Sequence, residues 1–547
     1  MSVLAKFTEV ARVFAQRRPS VRELLASRTG QFDRAHAVLP ADAVVGEPIT
    51  LTVQLWDGYE RVHATDRRFR LTATDDDATV PDRVALDRED GGYTTLAGLS
   101  FATPGVQYLT LIDTATGEQF HTNPVRVYGS EPARRTLWGD IHLHSQFSDG
   151  AGSMSKGMRF GRDVMALDVV AYTDHDTMGF FIPPQVQRWL MHRRNFAEMQ
   201  ARTDRFNEPG EFVTLFGYEW TKQPHVGGHV NVYFRETEGA TLFDSQAARS
   251  DTYEKLFARL RAYNAESEND AVAIPHHPAE SMYPFDFADV DYDDEVAPLV
   301  EVYSQWGSSE YPGREGNRRP VTMGSGEMDA EGYYVRDALL MGTRVGMLAG
   351  SDYHGPHPGH SMVHTKPHLP GLAEWREDGI GWGHIWRVWN EPSHPGGLTA
   401  FRAESHTRDG VFDALASRRV YGTTQPHRIL VDFTLNGTSV GEADSTAVLG
   451  SPDEPRTLSV DVAGTGPVEV VEIIKNGDLW ATIDGTDDPE AGLAAFTLSG
   501  TVIDDESVAG TSYDAERGTD DDWYYLRVVQ TDGGLAWVGP LWATVEG

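Results

Sequence analysis

Cysteine is missing from all 547 residues. That excludes disulfides, cysteine-ligated zinc, iron–sulfur clusters and thiol nucleophiles. Any metal must therefore sit on His, Asp or Glu. Lysine is scarce, six against 41 arginines, and positive charge is short overall. Lys+Arg number 47 against Asp+Glu 82, a net charge of −35. This disfavours nucleic acid and anionic membranes as general partners and leaves a small-molecule substrate as the expected one. No apolar run approaches the about 18 residues that mark a spanning helix. Near the start, Lys6 and Glu9 interrupt the apolar face of Leu4, Phe7, Ala11 and Phe14. Arg17-Arg18 leads into Pro-Ser-Val-Arg-Glu, so an export signal is not expected and a cytoplasmic location is.

At roughly 150 residues per domain, the length suits three or four domains with cores of their own. Residues 1–30 read as helical. Residues 31–130 carry short alternating runs. Ile49, Leu51, Val53 and Leu55 alternate with Thr50, Thr52 and Gln54, the pattern of a half-buried strand, and Glu89-Asp90-Gly91-Gly92 reads as a turn. This suggests a β-sandwich-like domain. Residues 131–427 alternate apolar strand-like runs with helical stretches, the order of an α/β domain. Residues 428–547 return to alternation, with hairpin signals at Asn436-Gly437 and Asn476-Gly477. This second β-sandwich-like domain holds 5 Lys/Arg against 23 Asp/Glu, so half the net charge lies in it as a solvated acidic surface.

Histidine carries the chemistry. Residues 142–368 contain 13 of the 20 histidines, in five clusters that each follow an apolar run. The first is Gly139-Asp140-Ile141-His142-Leu143-His144, continuing to Ser148-Asp149-Gly150. In a strand, positions i and i+2 share a face, so His142 and His144 can reach one metal together. Asp149 can fold back over them from the loop. Then come Thr173-Asp174-His175, Gly217-Tyr218-Glu219-Trp220 with His229, Ile274-Pro275-His276-His277-Pro278, and Ser351-Asp352-Tyr353-His354. Imidazole and carboxylate ligands suit Zn, Mn and Fe(II). At the strand ends of a barrel-like domain they would converge on one site.

This ordered set resembles the polymerase-and-histidinol-phosphatase (PHP) superfamily of metallohydrolases over roughly residues 134–427. Gly139–His142, Gly217–Trp220 and Gly228-His229-Val230-Asn231 look like its DUF3604 branch. Arg419–Thr424 and the stretch from Trp523 to Trp537 are similar to the carbaryl-hydrolase type. The resemblance implies an α/β fold, a distorted (β/α)7 barrel flanked by the two sandwich-like domains. It also implies two or three divalent metal ions, Zn, Mn or Fe, at the barrel mouth. Carried over, His142, His144, Glu219 and Asp352 bind the first. Glu219 bridges to a second on His229 and the His276/His277 pair. Asp149, His175 and His354 bind the third. His229, His277 and Asp352 are also the expected catalytic residues.

The expected activity is hydrolysis by a metal-bridging hydroxide, most simply of a phosphoester. Hydrolysis of a carbamate, carboxylic ester or amide is the alternative, and a non-catalytic metal-containing binding protein is a third reading. His225 and His357 are candidates to protonate the leaving group. Arg314, Arg318 and Arg319 are candidates to hold a phosphate. Trp375, Trp382, Trp386 and Trp389 are either core or a lid over an aromatic pocket.

Overall fold

The computed structural model describes Leu25 and residues 30–546, apart from 324–325, 390–392, 487 and 489. The helix expected over 1–30 lies, but for Leu25 and Gly30, outside the described residues. Residues 32–128 form three small sheets around a core of their own, which includes Leu51, Val53, Leu55, Phe69, Leu111 and Val125. The strand Ile49–Asp57 was expected to bury one face only. Thr52 and Gln54 are buried as well, because this second face meets the central unit. Gln54 Nε2 donates to Val164 O at 2.5 Å, and Trp56 Nε1 donates to Gln54 Oε1 at 3.0 Å.

The rest of the molecule is organised by one 15-stranded sheet. Its strands are β1 (Arg135–Asp140), β2 (Val169–Tyr172), β3 (Val213–Trp220), β4 (His229–Phe234), β5 (Ala271–His276), β6 (Leu299–Ser304), β7 (Gly307–Ser308), β8 (Gly346–Ala349), β9 (Gly397–Ala403) and β10 (Val420–Thr424). The C-terminal segment adds β11 (Thr446–Leu449), β12 (Val468–Lys475), β13 (Asp478–Asp484), β14 (Asp522–Gln530) and β15 (Leu535–Val545). The order is β7-β6-β5-β4-β3-β2-β1-β9-β10-β15-β14-β12-β13, with β8 beside β6 and β11 beside β15.

This topology corrects the expected (β/α)7 barrel. Only β1–β2–β3, β5–β6 and β6–β8 pair in parallel within the central segment. β4 runs antiparallel to both β3 and β5, and β9 antiparallel to both β1 and β10. The sheet then continues past β10 into the C-terminal strands. That segment is therefore not a sandwich set apart from the centre. It supplies five strands to the common sheet, and its remaining strands form a four-stranded and a two-stranded one. Every residue of β14 is buried, as expected of a strand covered on both faces. The two Asn-Gly pairs do turn hairpins. Asn436 and Asn476 take φ of 48° and 53°, with Gly437 and Gly477 also positive.

Helices α1 (Met154–Arg159), α2 (Pro184–Leu190), α3 (Phe196–Phe206), α4 (Tyr253–Glu266), α5 (Val335–Leu340), α6 (Leu372–Asp378), α7 (Trp382–Trp389) and α8 (Arg408–Ala416) connect the central strands. Beneath α8, whose Val411, Phe412 and Leu415 are buried, lie Leu137, Val169 and Val213 of β1–β3. Among the described residues no helix is long and apolar enough to cross a membrane.

Candidate metal centre

Each of the five histidine clusters follows or ends a strand, and the pairing brings them to one place. Past the end of β1 the chain runs on beside residues 352–354. Asp352 N donates to His142 O at 2.9 Å, and His144 N donates to Tyr353 O at 3.0 Å. His175 follows β2 and bridges to Glu219 on β3. His229 opens β4 and sits directly across from His276, the last residue of β5. Asp352 follows β8. Two of these residues hold a left-handed backbone, His277 at φ 35° and Asp352 at φ 53°. Strain of this kind in non-glycine residues gathers at functional sites.

All ten ligand-type residues singled out in the sequence lie together and are buried. Glu219 is the hub. Its Oε2 lies 3.3 Å from His142 Nε2, 3.2 Å from His144 Nε2 and 3.5 Å from His276 Nε2. Its Oε1 lies 2.6 Å from His229 Nδ1 and 2.9 Å from His175 Nδ1. Asp352 Oδ1 lies 3.3 Å from His142 Nε2 and 3.1 Å from His144 Nε2. Asp149 Oδ1 lies 3.5 Å from His175 Nε2 and 3.4 Å from His354 Nε2. Four overlapping groups have ligand atoms within 4.8 Å of one another. They are His142–His144–Glu219–Asp352, His229–His276–His277, His175–Glu219–His229, and His144–Asp149–His175–His354. His144 thus belongs to two groups, and both members of the 276/277 doublet face the centre.

Residues 161–310 match the family model described as "Protein of unknown function (DUF3604)". The matched stretch carries β2 to β7, with His175, Glu219, His229, His276 and His277. His142, His144, Asp149, Asp352 and His354 lie outside it. Two relatives are described as uncharacterized proteins. One, from Chlamydia trachomatis serovar D, is 27% identical over 459 residues, covering 82% of this chain and 64% of its own. The other, from Chlamydia pneumoniae, is 26% identical over 465 residues, covering 83% and 64%. The chain therefore spans less than two thirds of the length of these relatives. Among solved structures, the one titled "Structure of PhoD" is 9% identical at a TM-score of 0.20, covering 68% of this chain and 85% of that one. A Paenibacillus cycloisomaltooligosaccharide glucanotransferase is 9% identical at 0.21, covering 93% and 72%. Likenesses this slight carry no argument.

The electrostatics of the DUF3604 stretch and its neighbours suit a cation. Burial raises the Glu219 carboxyl, but His175, His276 and His229 outweigh it and hold it well below the usual range. Burial likewise opposes ionisation of Asp352, and His142 and His144 reverse it. Burial also disfavours charge on His142 and His144. Asp352 and Glu301 nevertheless lift His142 well above its ordinary value, and Asp352 and Glu219 lift His144 to about 10. For the others burial prevails, with His175 and His276 pushed down to about 4, His354 to about 3 and His277 well below the ordinary value. Ionised carboxylates beside imidazoles are a donor set that suits a divalent cation, and a cation bound there would compete with protons for His142 and His144. The ring nitrogens tell the same story. His144 Nδ1, His277 Nδ1 and both nitrogens of His276 are buried without a hydrogen-bond partner. Such groups cost about 1–3 kcal/mol each when left unsatisfied.

Several residues take on a supporting role only in the structure. Glu301 on β6 lies 3.0 Å from His142 Nδ1, on the ring edge facing away from Glu219. Trp306 Nε1 donates to Asp352 Oδ2 at 2.6 Å, and Gln305 Nε2 donates to Asp352 O. Asp174 accepts from Ser145 N, Ser145 Oγ and Ser148 Oγ, which fixes the loop that carries Asp149. The one available signal was an acid inside the apolar run Leu299-Val300-Glu301-Val302.

Other expected roles do not fit. His357 Nδ1 accepts from Arg387 Nη2 at 3.0 Å, and burial with Arg387 holds its pKa well below the ordinary value, which disfavours the imidazolium a general acid needs. His225 is exposed. Arg314 pairs with Asp329 at 2.9 Å, Arg318 with Glu472 at 3.2 Å, and Arg319 donates to Gly533 O at 2.9 Å. These contacts commit the three arginines to partners outside the centre.

Proposed function

We propose that this chain is a metal-dependent hydrolase of the PHP type, and that a phosphoester is its simplest substrate. The observation that carries the reading is the set of four overlapping groups, buried yet holding unpartnered imidazole nitrogens. A structural metal site closes its shell with about four ligands. Ten ligand-type residues around one shared carboxylate exceed that need. His142, His144, Glu219 and Asp352 would hold one ion, and His229, His276 and His277, with Glu219 between, a second. Asp149, His175 and His354 would hold a third. Divalent ions bound there supply an acidified water near neutral pH and offset charge developing on oxygen.

The chain's own residues set the rest. Glu301 and Trp306 fix the orientation of His142 and Asp352 from behind. Tyr283 faces the centre, its ring 4.3 Å from that of His229. Its hydroxyl donates to Met178 Sδ at 3.9 Å, which holds the ring against His229. Residues that lie deep in the sheet keep bulk water from the reacting atoms.

A second reading, hydrolysis of a neutral carbamate, ester or amide, is favoured by one observation. The arginines that would have gripped a phosphate are engaged elsewhere. Metal analysis of the purified protein, with a panel of p-nitrophenyl phosphates, aryl esters and carbamates, tests both. Turnover of the phosphates supports the first and turnover of the carbonyl substrates alone the second. A chain that binds no divalent metal and turns over none of them refutes both.

A further inference from the structure

A wall of aromatic rings runs outward from His354. Trp386 meets the His354 ring edge-on at 4.9 Å and Trp306 at 4.6 Å. Trp382 stacks on Trp386, with centroids 5.8 Å and planes 16° apart. Beyond it, Trp382 meets Phe180 at 5.4 Å and Phe181 at 5.5 Å. The wall is pinned to the centre through the backbone. Trp382 N donates to Asp149 O at 3.1 Å, and Phe180 N donates to Ser148 O at 3.2 Å. A pure core role does not account for it. The core tryptophans Trp138, Trp220, Trp523 and Trp537 are all under 2% exposed, whereas Trp382, Trp386, Phe180 and Phe181 are only half-buried.

We infer that this wall is the specificity-determining surface of the site and that it takes a planar aryl leaving group. The inference rests on the hydrolase reading and names its substrate class. A ring laid along Trp382 and Trp386 would lie beside the His354 ring, 4.9 Å from Trp386, and the Asp149 backbone that Trp382 N binds. The chemistry agrees with the geometry. Water adds to the phosphorus or acyl carbon, the bond to the aryl oxygen breaks, and the bonding pair leaves on that oxygen. The proton released by the water ends on solvent or on the departing oxygen. A phenolic oxygen has a pKa of about 10, far below that of an alkoxide, and so leaves without a strong acid. That suits a centre whose candidate proton donors stand aside, His357 being engaged by Arg387 and His225 exposed. A sugar ring also stacks on tryptophan, and the experiment below separates it from an aryl group.

Calorimetry on the metal-loaded full chain tests this with three probes: phenylphosphonate, methylphosphonate and glucose 1-phosphate. Phenylphosphonate should bind about tenfold more tightly than methylphosphonate, the upper range for aromatic pairing. Trp382→Ala should erase that preference with metal content unchanged, and Trp382→Phe should restore most of it. Trp386→Ala should act in the same direction. Equal binding of the phenyl and methyl probes overturns the inference, as does a preference that survives Trp382→Ala. Glucose 1-phosphate binding as tightly as phenylphosphonate, or no probe binding at all to metal-loaded protein, overturns it too. These outcomes leave the hydrolase reading standing, whereas a chain that takes up no metal removes both.

Discussion

Glu301 holds His142 by the ring nitrogen that faces away from the centre, 3.0 Å from Nδ1, while Nε2 of the same ring faces Glu219 at 3.3 Å. A carboxylate behind a ligand imidazole fixes the ring and its tautomer and makes the outer nitrogen a better donor. Glu301→Gln should therefore weaken divalent-metal affinity roughly 10–100-fold with the fold intact. Competition against a fluorescent chelator measures this, with far-UV circular dichroism as the control. Unchanged affinity would reduce Glu301 to packing.

Glu219 and Asp149 should differ sharply. Glu219 reaches five imidazoles, whereas Asp149 reaches only His175 and His354. Glu219→Ala should abolish metal-pair formation and all turnover. Asp149→Ala should keep two ions and chiefly raise KM for an anionic substrate. Metal per chain and kcat/KM for both variants decide the matter. Loss of all metal in Asp149→Ala, with two ions kept in Glu219→Ala, contradicts the assignment.

Gly350 has no room for a side chain. A Cβ there would lie 2.3 Å from Glu301 Oε2 and 2.7 Å from His142 Cβ. Gly350→Ala should cost about 1–3 kcal/mol through overpacking. It should also push the Glu301–His142 pair apart, so metal affinity falls along with Tm. A variant that loses stability but binds metal normally would show that the pair tolerates displacement.

The C-terminal segment should set part of the acid limit. Asp504 is buried against Arg456 at 2.7 Å and Lys475 at 2.8 Å. Burial raises its pKa, but Lys475, Tyr524 and Arg456 bring it down from 3.8 to about 2. A carboxylate depressed on folding adds stability above its unfolded pKa and loses it as pH falls through the folded one. The contribution is thus complete above about pH 4 to 5 and disappears towards pH 2. Asp504→Asn should cost about 1.5–3 kcal/mol near neutrality through its lost charged hydrogen bonds, since Asp522 at 3.5 Å from both cations and Glu506 at 2.9 Å from Lys475 remain. It should also flatten the fall in Tm between pH 5 and pH 2. An equally steep fall in the variant would place the acid sensitivity elsewhere.

The centre was legible because its ligand-type residues stand at fixed short spacings after apolar strands, and strand ends on one side of a sheet converge. His142 with His144 needed only a period of two, whereas Asp352 turns through a left-handed backbone and joins a different group from His354. Glu301 was hidden, since a single acid in an apolar strand has no periodic signature. The sheet was misread for two reasons. A parallel crossover takes a dozen or more residues, usually a helix, and residues 221–228 between β3 and β4 are too few. That hairpin was in plain sight. β14 and β15 looked like part of a separate domain because local alternation says nothing about which distant strand an edge will meet.

The seam between β10 and β15 ties the last 120 residues to the centre, although they contain none of the ten clustered side chains. A chain cut after residue 427 would leave β10 with a naked row of N–H and C=O groups, an invitation to pair with another molecule. The damage would travel inward. Gly422 of β10 packs so closely on Ala349 that a Cβ would come within 2.7 Å of it, and Ala349 stands three residues before Asp352. Loosening that seam would shift a carboxylate it never touches, so a tail far from the chemistry acts as its buttress.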